Sequence, residues 1–236
     1  DLKPPVIKDN HDDDIIECRE CIQSFENGDF EEPGFSGGSR LGIIETDVPG
    51  WSTTSSDDLI EFHASGMVDG VTSFSGDYHV EINYSEVGDL YQEFCVIPTT
   101  TLQVSFAHLK RVHNTNTSPD IMEVMVGSDL SSLTSLGTFT ATDATGWTVH
   151  TIDYFVPIGQ ENAFFVFRSV QGAPGNLSLG NLVDDVNVVV LFNETGDIIP
   201  TITDNCAGTP QLSVEEVKVD GACNNNYRLI RTWTAT

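Results

Sequence analysis

Alternating apolar and polar positions run through most of the chain from about residue 25 to residue 192. Between Tyr78 and Tyr84 every even position is apolar or aromatic and every odd position is polar, His79 and Glu81 among them. Because neighbouring side chains of a strand point to opposite faces, this period of two predicts a strand with one buried face. Similar strand-like runs predict further strands at 90–96, 102–106, 121–126, 147–155, 163–170 and 183–192.

Clusters of Gly, Asn, Asp, Ser and Pro separate these strands at the spacing of turns. No segment of ten or more residues carries the apolar stripe of an amphipathic helix. A long series of short strands without helices is typical of a two-sheet sandwich. We therefore predict an all-β fold, with a jelly-roll β-sandwich at residues 25–193.

Two further segments flank the predicted sandwich. Residues 1–24 begin with Pro4-Pro5 and contain an acidic run, so they are expected to form a solvated linker. Residues 194–236 predict three short strands, which are too few to bury a two-sheet core unaided. We expect this last segment to be an incomplete β-domain that further residues or another chain would complete.

The charge of the chain narrows the classes of partner. The 36 acidic residues against 10 basic ones give a formal net charge of -26, with a pI near 4.1. Phosphate backbones and anionic lipids repel such a chain, which argues against nucleic-acid and polybasic membrane binding. No stretch reaches the roughly 20 apolar residues of a membrane-spanning helix, so no direct membrane insertion is expected. The excess of carboxylates offers oxygen ligands to calcium.

The five cysteines suggest an oxidising, extracellular setting. Cys206 and Cys223 bracket a strand–turn–strand pattern and are predicted to form a disulfide. Cys95 lies in a strand-like run and is expected to be a small buried hydrophobic residue. Cys18 and Cys21 form a CxxC motif without a surrounding βαβ pattern or a second CxxC, which favours disulfides over redox chemistry or zinc. The partners of these two cysteines stay open.

Three groups of residues, in consistent order, resemble the frame of galactose-binding-like jelly rolls, which include many carbohydrate-binding modules. They are Asn27-Gly-Asp-Phe-Glu31, Val48-Pro-Gly-Trp51 and Asn181-Leu-Val-Asp-Asp-Val186. The stretches 59–62, 78–81 and 105–111 are similar to bacterial cell-surface versions of that fold. The resemblance implies a β-sandwich that binds glycans.

The tail from Thr203-Asp-Asn-Cys206 to Arg231-Thr-Trp-Thr-Ala-Thr236 resembles an immunoglobulin-like repeat of giant Bacteroidetes surface proteins. The head of the chain, Asp1-Leu-Lys-Pro-Pro-Val-Ile7, is similar to the linker that follows such a repeat. The resemblance implies an incomplete immunoglobulin-like β-domain at residues 194–236 and the end of a preceding repeat at residues 1–24. A segment of a long adhesin of the gliding-motility or type IX-secreted kind is therefore expected, at the extracellular surface of a cell.

A structural calcium site is expected where the first and last strands of the sandwich lie side by side. In an extended segment Asp29 and Glu31 share one side, and Asp184 and Asp185 come near the end of the last strand. Carboxylates and loop carbonyls are the ligands that Ca²⁺ prefers. The resemblance implies Glu31 and Asp185 as ligands, and Asp29, Asp184 and Asp77 are further candidates. The alternative is that these acids cap turns or face solvent.

A glycan site needs an aromatic face for the sugar ring and polar groups for its hydroxyls. His79, Glu81 and Asn83 share one strand face, and His108 and Arg111 begin the loop after a core strand. The predicted ligand-binding residues are Trp51, Glu61, His79, Glu81, Asn83, His108 and Arg111, with His63 as a further candidate.

Two residues keep a structural alternative. Trp51 follows Pro49-Gly50 and can equally fill the core. Arg168 is flanked by Phe165 and Phe167, so its charge is expected to need a carboxylate partner. For Arg168 an ion pair is favoured over a ligand contact.

The sequence carries no recognised catalytic motif. It has no nucleophile elbow, HExxH motif, P-loop or GxGxxG turn within a βαβ unit. His108 and His113 lack a third zinc ligand of matching character. A pair of glycosidase carboxylates stays open because the chain holds 36 acids. We expect a protein that is not an enzyme.

These observations predict a calcium-stabilised jelly roll that binds a glycan or polysaccharide surface as part of an adhesin. Many copies on one cell would multiply a weak single-site affinity. The alternative is a structural spacer or filament-forming unit, in which a strand from a neighbouring copy or repeat completes the last domain.

Overall fold

The computed structural model describes residues 21, 23–32, 39–112, 118–173, 178–191, 212–220 and 227–235. The chain divides into two compact units, and Cys21–Glu194 is the larger. Within the described residues of this unit, the regular structure is strand except for one 3-10 turn at Glu45–Asp47. No helix in the described part of the chain is long and apolar enough to cross a bilayer.

The larger unit is a sandwich of two antiparallel sheets. Sheet A has six strands, in the spatial order Arg40–Ile44 (β1), Leu59–Ala64 (β3), Tyr78–Glu81 (β4), Leu182–Leu191 (β11), Thr101–Leu109 (β6) and Thr148–Phe155 (β9). Sheet B has five, in the order Ser52–Thr53 (β2), Asp89–Cys95 (β5), Asn162–Gln171 (β10), Asp120–Gly127 (β7) and Thr134–Ala141 (β8). The predicted all-β jelly-roll sandwich is confirmed.

The hydrophobic core lies between the two sheets, where the alternation of the strands places it. Val80 of β4 is fully buried in this core, so its neighbours His79 and Glu81 point to the outer face of sheet A. Phe106 of β6 and Phe167 of β10 meet across the core with ring centroids 5.4 Å apart. Burying a side chain of this size contributes about 1.5–3 kcal/mol.

A bulge near the beginning of β11 sets the position of two acidic residues. The register with β6 shifts between Asp184 and Asn187, and Asp185 has a φ of 49°. This left-handed conformation is uncommon for a residue with a side chain and is found at bulges and turns. The apolar run after the bulge continues β11 as far as Leu191. The two acids therefore lie near the beginning of the last strand of the sandwich, and the expectation that they lie near its end is wrong.

One disulfide joins Cys21 to Cys95, with their Cα atoms 5.3 Å apart. The expectation that Cys95 is an unpaired hydrophobic residue is wrong. Cys95 ends β5 opposite Asn162 of β10, and alternation turns its side chain away from the core, where the incoming chain reaches it. Cys21 therefore does not pair with Cys18. The predicted disulfide residues Cys18, Cys206 and Cys223 lie outside the described residues.

The second unit is described through one pair of strands. Leu212–Asp220 (β12) and Tyr227–Ala235 (β13) run antiparallel, in register from Leu212 opposite Ala235 to Asp220 opposite Tyr227. The immunoglobulin-like character expected for residues 194–236, and the predicted domain boundaries, stay predictions.

Candidate functional site

Three predicted ligand-binding residues, Glu61, His79 and Glu81, lie together with His63 on the outer face of sheet A. In the register of β3 and β4, Glu61 is opposite Glu81 and His63 is opposite His79. All four side chains are fully buried, although they point away from the core. Such burial requires a second layer over this part of the sheet.

Residues 65–77, here named the cover loop, provide part of that layer. They connect β3 to β4, and Val71 of the loop packs against Leu109 of β6. The carbonyl of Thr72 accepts a hydrogen bond from the indole N–H of Trp147, at 2.9 Å. The cover loop and Trp147 together close off the part of the outer face that holds the polar residues.

The buried residues form a network around two carboxylates. Nε2 of His63 lies 2.7 Å from Oε1 of Glu61 and 3.5 Å from Oε2 of Glu81. Nη1 of Arg111 donates to Oε2 of Glu81 and lies 3.8 Å from Oε1 of Glu61. The backbone N–H of Gly180 donates to Oε1 of Glu81. Two acidic, one cationic and one imidazole side chain are thus in contact, and none of the four residues is more than 8% exposed.

Burial and the neighbouring carboxylate of Glu61 change the pKa of Glu81. Burial raises the pKa of Glu81 well above its ordinary value, and the charge of Glu61 raises it further, whereas Arg111 lowers it. Glu61 and Glu81 also share a hydrogen bond. The charge of the neighbouring carboxylate thus disfavours ionisation of Glu81, and a bound cation would relieve this.

His79 is a neutral member of the same layer. Its Nδ1 lies 3.0 Å from the hydroxyl of Ser73 in the cover loop, and its ring meets those of His63 and Trp147 edge to face. Burial lowers the pKa of His79 to about 3, with contributions from the charges of His63 and Arg111. The ring therefore stays uncharged at neutral pH.

The other three predicted ligand-binding residues have structural contacts. Trp51 fills the core, with its indole N–H donating to the carbonyl of Asn27 at 2.9 Å. Asn83 accepts a hydrogen bond from the N–H of Gly88. His108 points into the sandwich, where burial lowers its pKa to about 4.

None of the seven predicted ligand-binding residues is more than 8% exposed. A glycan therefore has no direct access to them in this conformation. Their role as glycan contacts stays a prediction. The expected ion pair of Arg168 is confirmed, because its guanidinium donates to both carboxylate oxygens of Asp89, at 2.8 and 2.6 Å.

Two predicted metal ligands hold the same stretch of backbone at the end of the cover loop. Oδ2 of Asp184 accepts the N–H groups of Phe74 and Ser75, at 2.8 and 3.0 Å. Oε1 of Glu31 accepts the N–H groups of residues 77 and 78, each at 2.8 Å. The carboxylates of the first and last segments of the sandwich thus converge on residues 74–78.

The remaining predicted metal ligands are more exposed to solvent than Asp184. Asp29 and Asp77 are exposed, and Oδ1 of Asp185 accepts a hydrogen bond from the side chain of Asn187 at 2.9 Å. The neighbouring segment is tied down, because the N–H of Val186 donates to the carbonyl of Gly28. In the described part of the chain, these acids do not form a cluster with ligand atoms within 4.8 Å of one another.

Asp184 has the electrostatic character of a cation ligand. It is fully buried, and this burial raises its pKa to about 7 against the effect of its backbone hydrogen bonds. Among the residues that the structure describes, no basic side chain lies within 4 Å of its carboxylate. A bound cation would remove the cost of burying this charge.

A second, open surface lies on the outer face of sheet B. Tyr91 of β5 and Phe164 of β10 are half-buried there, with ring centroids 6.1 Å apart and planes tilted by 42°. Val166 lies opposite Tyr91 in the register and is fully buried. The two rings thus form a fixed aromatic surface, supported by the sheet beneath.

Polar side chains border these rings. Arg168 and its partner Asp89 lie on one side, and the amide of Asn162 donates to Glu93 at 2.8 Å on the other. The register of sheet B places these residues on the same face as the rings. Sequence reasoning missed this surface because 163–170 forms a nearly continuous apolar run, in which Phe164 and Phe165 face opposite sides.

Comparison with known proteins gives structural likenesses at low sequence identity. No protein-family model matches the chain, and no curated protein matches it. The carbohydrate-binding module TmCBM61, solved with β-1,4-galactotriose, is 15% identical, with a TM-score of 0.48 over 73% of this chain and 99% of that one. A cyclase from Fischerella sp. TAU is 15% identical, with a TM-score of 0.46 over 70% and 94%.

A family 35 carbohydrate-binding module from Clostridium thermocellum is 18% identical, with a TM-score of 0.35 over 64% of this chain and 98% of that one. The structural neighbours of this β-sandwich thus include carbohydrate-binding modules.

Proposed function

We propose that this chain is a non-catalytic, glycan-binding segment of an extracellular cell-surface adhesin, with its binding site on the outer face of sheet B. The supporting observation is the half-buried pair Tyr91 and Phe164, bordered by polar side chains. Sugar rings bind through their C–H faces to aromatic rings and through their hydroxyls to amides, carboxylates and guanidinium groups. Sheet B offers both kinds of contact at one open surface.

Rigidity favours this surface over a loop. Arg168 is held by both oxygens of Asp89, and Asn162 is held by Glu93. Little side-chain entropy is therefore lost when a ligand binds to these groups. A site on ordered strands fits weak, repeated binding to a polysaccharide surface, where many copies of the protein act together.

Replacing Tyr91 by alanine is expected to weaken glycan binding by about tenfold or more, because the variant loses half of the aromatic surface. The measurement is a glycan array followed by calorimetry with the best ligand. Phe155→Ala is the matched control, since Phe155 is a 57% exposed aromatic residue of sheet A. Equal losses in the two variants, or no binding by folded wild-type protein, would contradict the proposal.

Calcium is the structural cofactor in this proposal, bound by Asp184 and Glu31 near residues 74–78. The support is the buried Asp184 carboxylate without a basic partner among the described residues. Glu31 approaches the same backbone, and Asp29 and Asp185 are the further predicted ligands. A hard cation with oxygen ligands suits this set.

Removal of calcium with EGTA is expected to lower the thermal midpoint of the wild-type protein by about 5–10 °C, as for a ligand supplied at about 100 times its Kd. Asp184→Asn should remove most of this difference, because the side chain loses its charge. Its amide oxygen can still accept the N–H groups of Phe74 and Ser75, whereas the hydrogen bond from the N–H of Asp185 to Oδ1 is lost. Asp153→Asn, at an exposed position of sheet A, is the control. An EGTA effect of full size in Asp184→Asn would rule out this calcium site.

A structural spacer is the second candidate function. Trp51 is buried in the core, so this aromatic residue is not available to a glycan. Within the described residues, β12 pairs with β13 alone. A neighbouring copy or repeat could then add a strand to this two-stranded sheet. Absence of glycan binding, together with concentration-dependent assembly in sedimentation, would favour the spacer.

A further inference from the structure

Three potential metal ligands converge beneath the cover loop. Glu61, His63 and Glu81 each offer one ligand atom, and these atoms lie within 4.8 Å of one another. All three side chains are fully buried, and they come from the adjacent strands β3 and β4. Their positions are therefore fixed by the hydrogen-bonded register of the sheet, and not by a flexible loop.

We propose that Glu61, His63 and Glu81 bind one divalent transition-metal ion, with Zn²⁺ as the expected ion. One imidazole nitrogen and two carboxylates are ligands typical of zinc. Calcium prefers six to eight oxygen ligands, so this site is distinct in chemistry from the one near Asp184. The metal site does not depend on the proposed glycan binding.

One of two distances between the ligand atoms already suits an ion of this size, and the other is shorter. A zinc ion about 2.0–2.2 Å from each of its tetrahedral ligands keeps those ligands about 3.3–3.6 Å apart. Nε2 of His63 and Oε2 of Glu81 are 3.5 Å apart. Nε2 of His63 and Oε1 of Glu61 are 2.7 Å apart, a hydrogen-bond distance. This second distance widens when the bridging proton leaves and the metal takes its place.

Histidine nitrogens without partners provide a second observation that points to a ligand. Nδ1 of His63 and Nε2 of His79 are buried and have no hydrogen-bond partner. The two rings are neighbours, with centroids 5.2 Å apart. A neutral imidazole is the commonest protein ligand of metal ions. His79 therefore lies beside the three-residue cluster, and its Nε2 becomes a ligand only if the ring moves toward the metal.

Arg111 is the cation that occupies the edge of the cluster, and metal binding must accommodate it. Its Nη1 donates to Glu81, and its Nε lies 3.3 Å from Oδ2 of Asp69 in the cover loop. The side chain of Asp69 is 37% exposed. The guanidinium can keep its contact with Asp69 while the Glu81 oxygen turns to the metal, and the exposed edge at Asp69 gives the ion a route inward.

The test is a zinc titration of the full chain, with excess Ca²⁺ present to fill any oxygen-rich site. Competition with a chromophoric chelator should show one Zn²⁺ per chain in the wild-type protein. Replacing a residue that only hydrogen-bonds to a metal ligand typically lowers metal affinity by about 10- to 100-fold. Replacing a ligand itself should lower it at least as much, so we expect His63→Gln and Glu61→Gln each to lower the zinc affinity by about 100-fold. Glu86→Gln, which changes an exposed acid, should bind zinc as the wild type does.

Two outcomes of the zinc titration would overturn the metal site. One is a wild-type protein that binds no zinc, either when folded or when refolded with zinc present. The other is unchanged zinc affinity in His63→Gln. Because a variant in this buried layer can fail to fold, the Co²⁺ form of the wild-type protein gives an independent readout. Its visible spectrum should indicate four or five ligands including imidazole, and the spectrum of an all-oxygen six-coordinate ion would also refute the proposal.

Discussion

Replacing Arg111 by methionine is expected to lower the free energy of unfolding by about 3–5 kcal/mol, the cost of breaking a buried ion pair by removal of one partner. Arg111 is 8% exposed, and its guanidinium contacts Glu81 and Asp69. Methionine fills a similar volume, so the loss reports on charge and hydrogen bonding more than on packing. The measurement is urea unfolding at pH 7 without added metal.

The chain supplies a matched control in Arg168. This arginine also makes an ion pair, through two hydrogen bonds with Asp89, but its side chain is 44% exposed. Because solvent screens an exposed pair, Arg168→Met is expected to cost about 1 kcal/mol or less. If the two substitutions cost the same, Arg111 is not a buried charge in solution, and the cover loop does not close as described.

Removing the Cys21–Cys95 disulfide is expected to cost about 4 kcal/mol in the chain-entropy account. The bridge closes a loop with a sequence separation of 74. Its absence gives the unfolded chain more conformational freedom, while the folded sandwich keeps its core. Urea unfolding of Cys21→Ser/Cys95→Ser against the oxidised wild type measures this difference.

Reduction of the same two proteins completes this experiment. Dithiothreitol should destabilise the wild type by at least the cost of the double substitution. Any further effect of dithiothreitol on the double variant would come from another disulfide, such as the predicted bridge between Cys206 and Cys223. A wild type that unfolds at the same urea concentration with and without reductant would show that Cys21 and Cys95 are not bonded.

Local alternation was enough to predict the sandwich and the two faces of β4. In 78–84 the pattern separates Val80, which is in the core, from His79 and Glu81, which are on the outer face. This works because strand geometry is a property of consecutive residues. Sequence reasoning could therefore group the polar residues of β4 before their neighbours were known.

The burial of those residues could not be predicted in the same way. It depends on the cover loop and on Trp147, which is distant in sequence from Thr72, its hydrogen-bond partner. For the same reason Cys95 was assigned no partner, since its bond to Cys21 joins distant parts of the chain. Strand β8 was also missed, because Gly137 and a register shift against β7 interrupt its alternation.

The Cys21–Cys95 bond decides how a mechanical load on the chain would be carried. When the chain is pulled at its two ends, the force passes from Cys21 directly to Cys95. While the bond is intact, the force cannot extend the residues between the two cysteines. At about 3.4 Å per residue, these residues amount to about 250 Å of contour length. Strands β1 to β5 lie within this closed loop and are thereby shielded from unravelling. The redox state of its surroundings thus sets how far this chain can be extended under force.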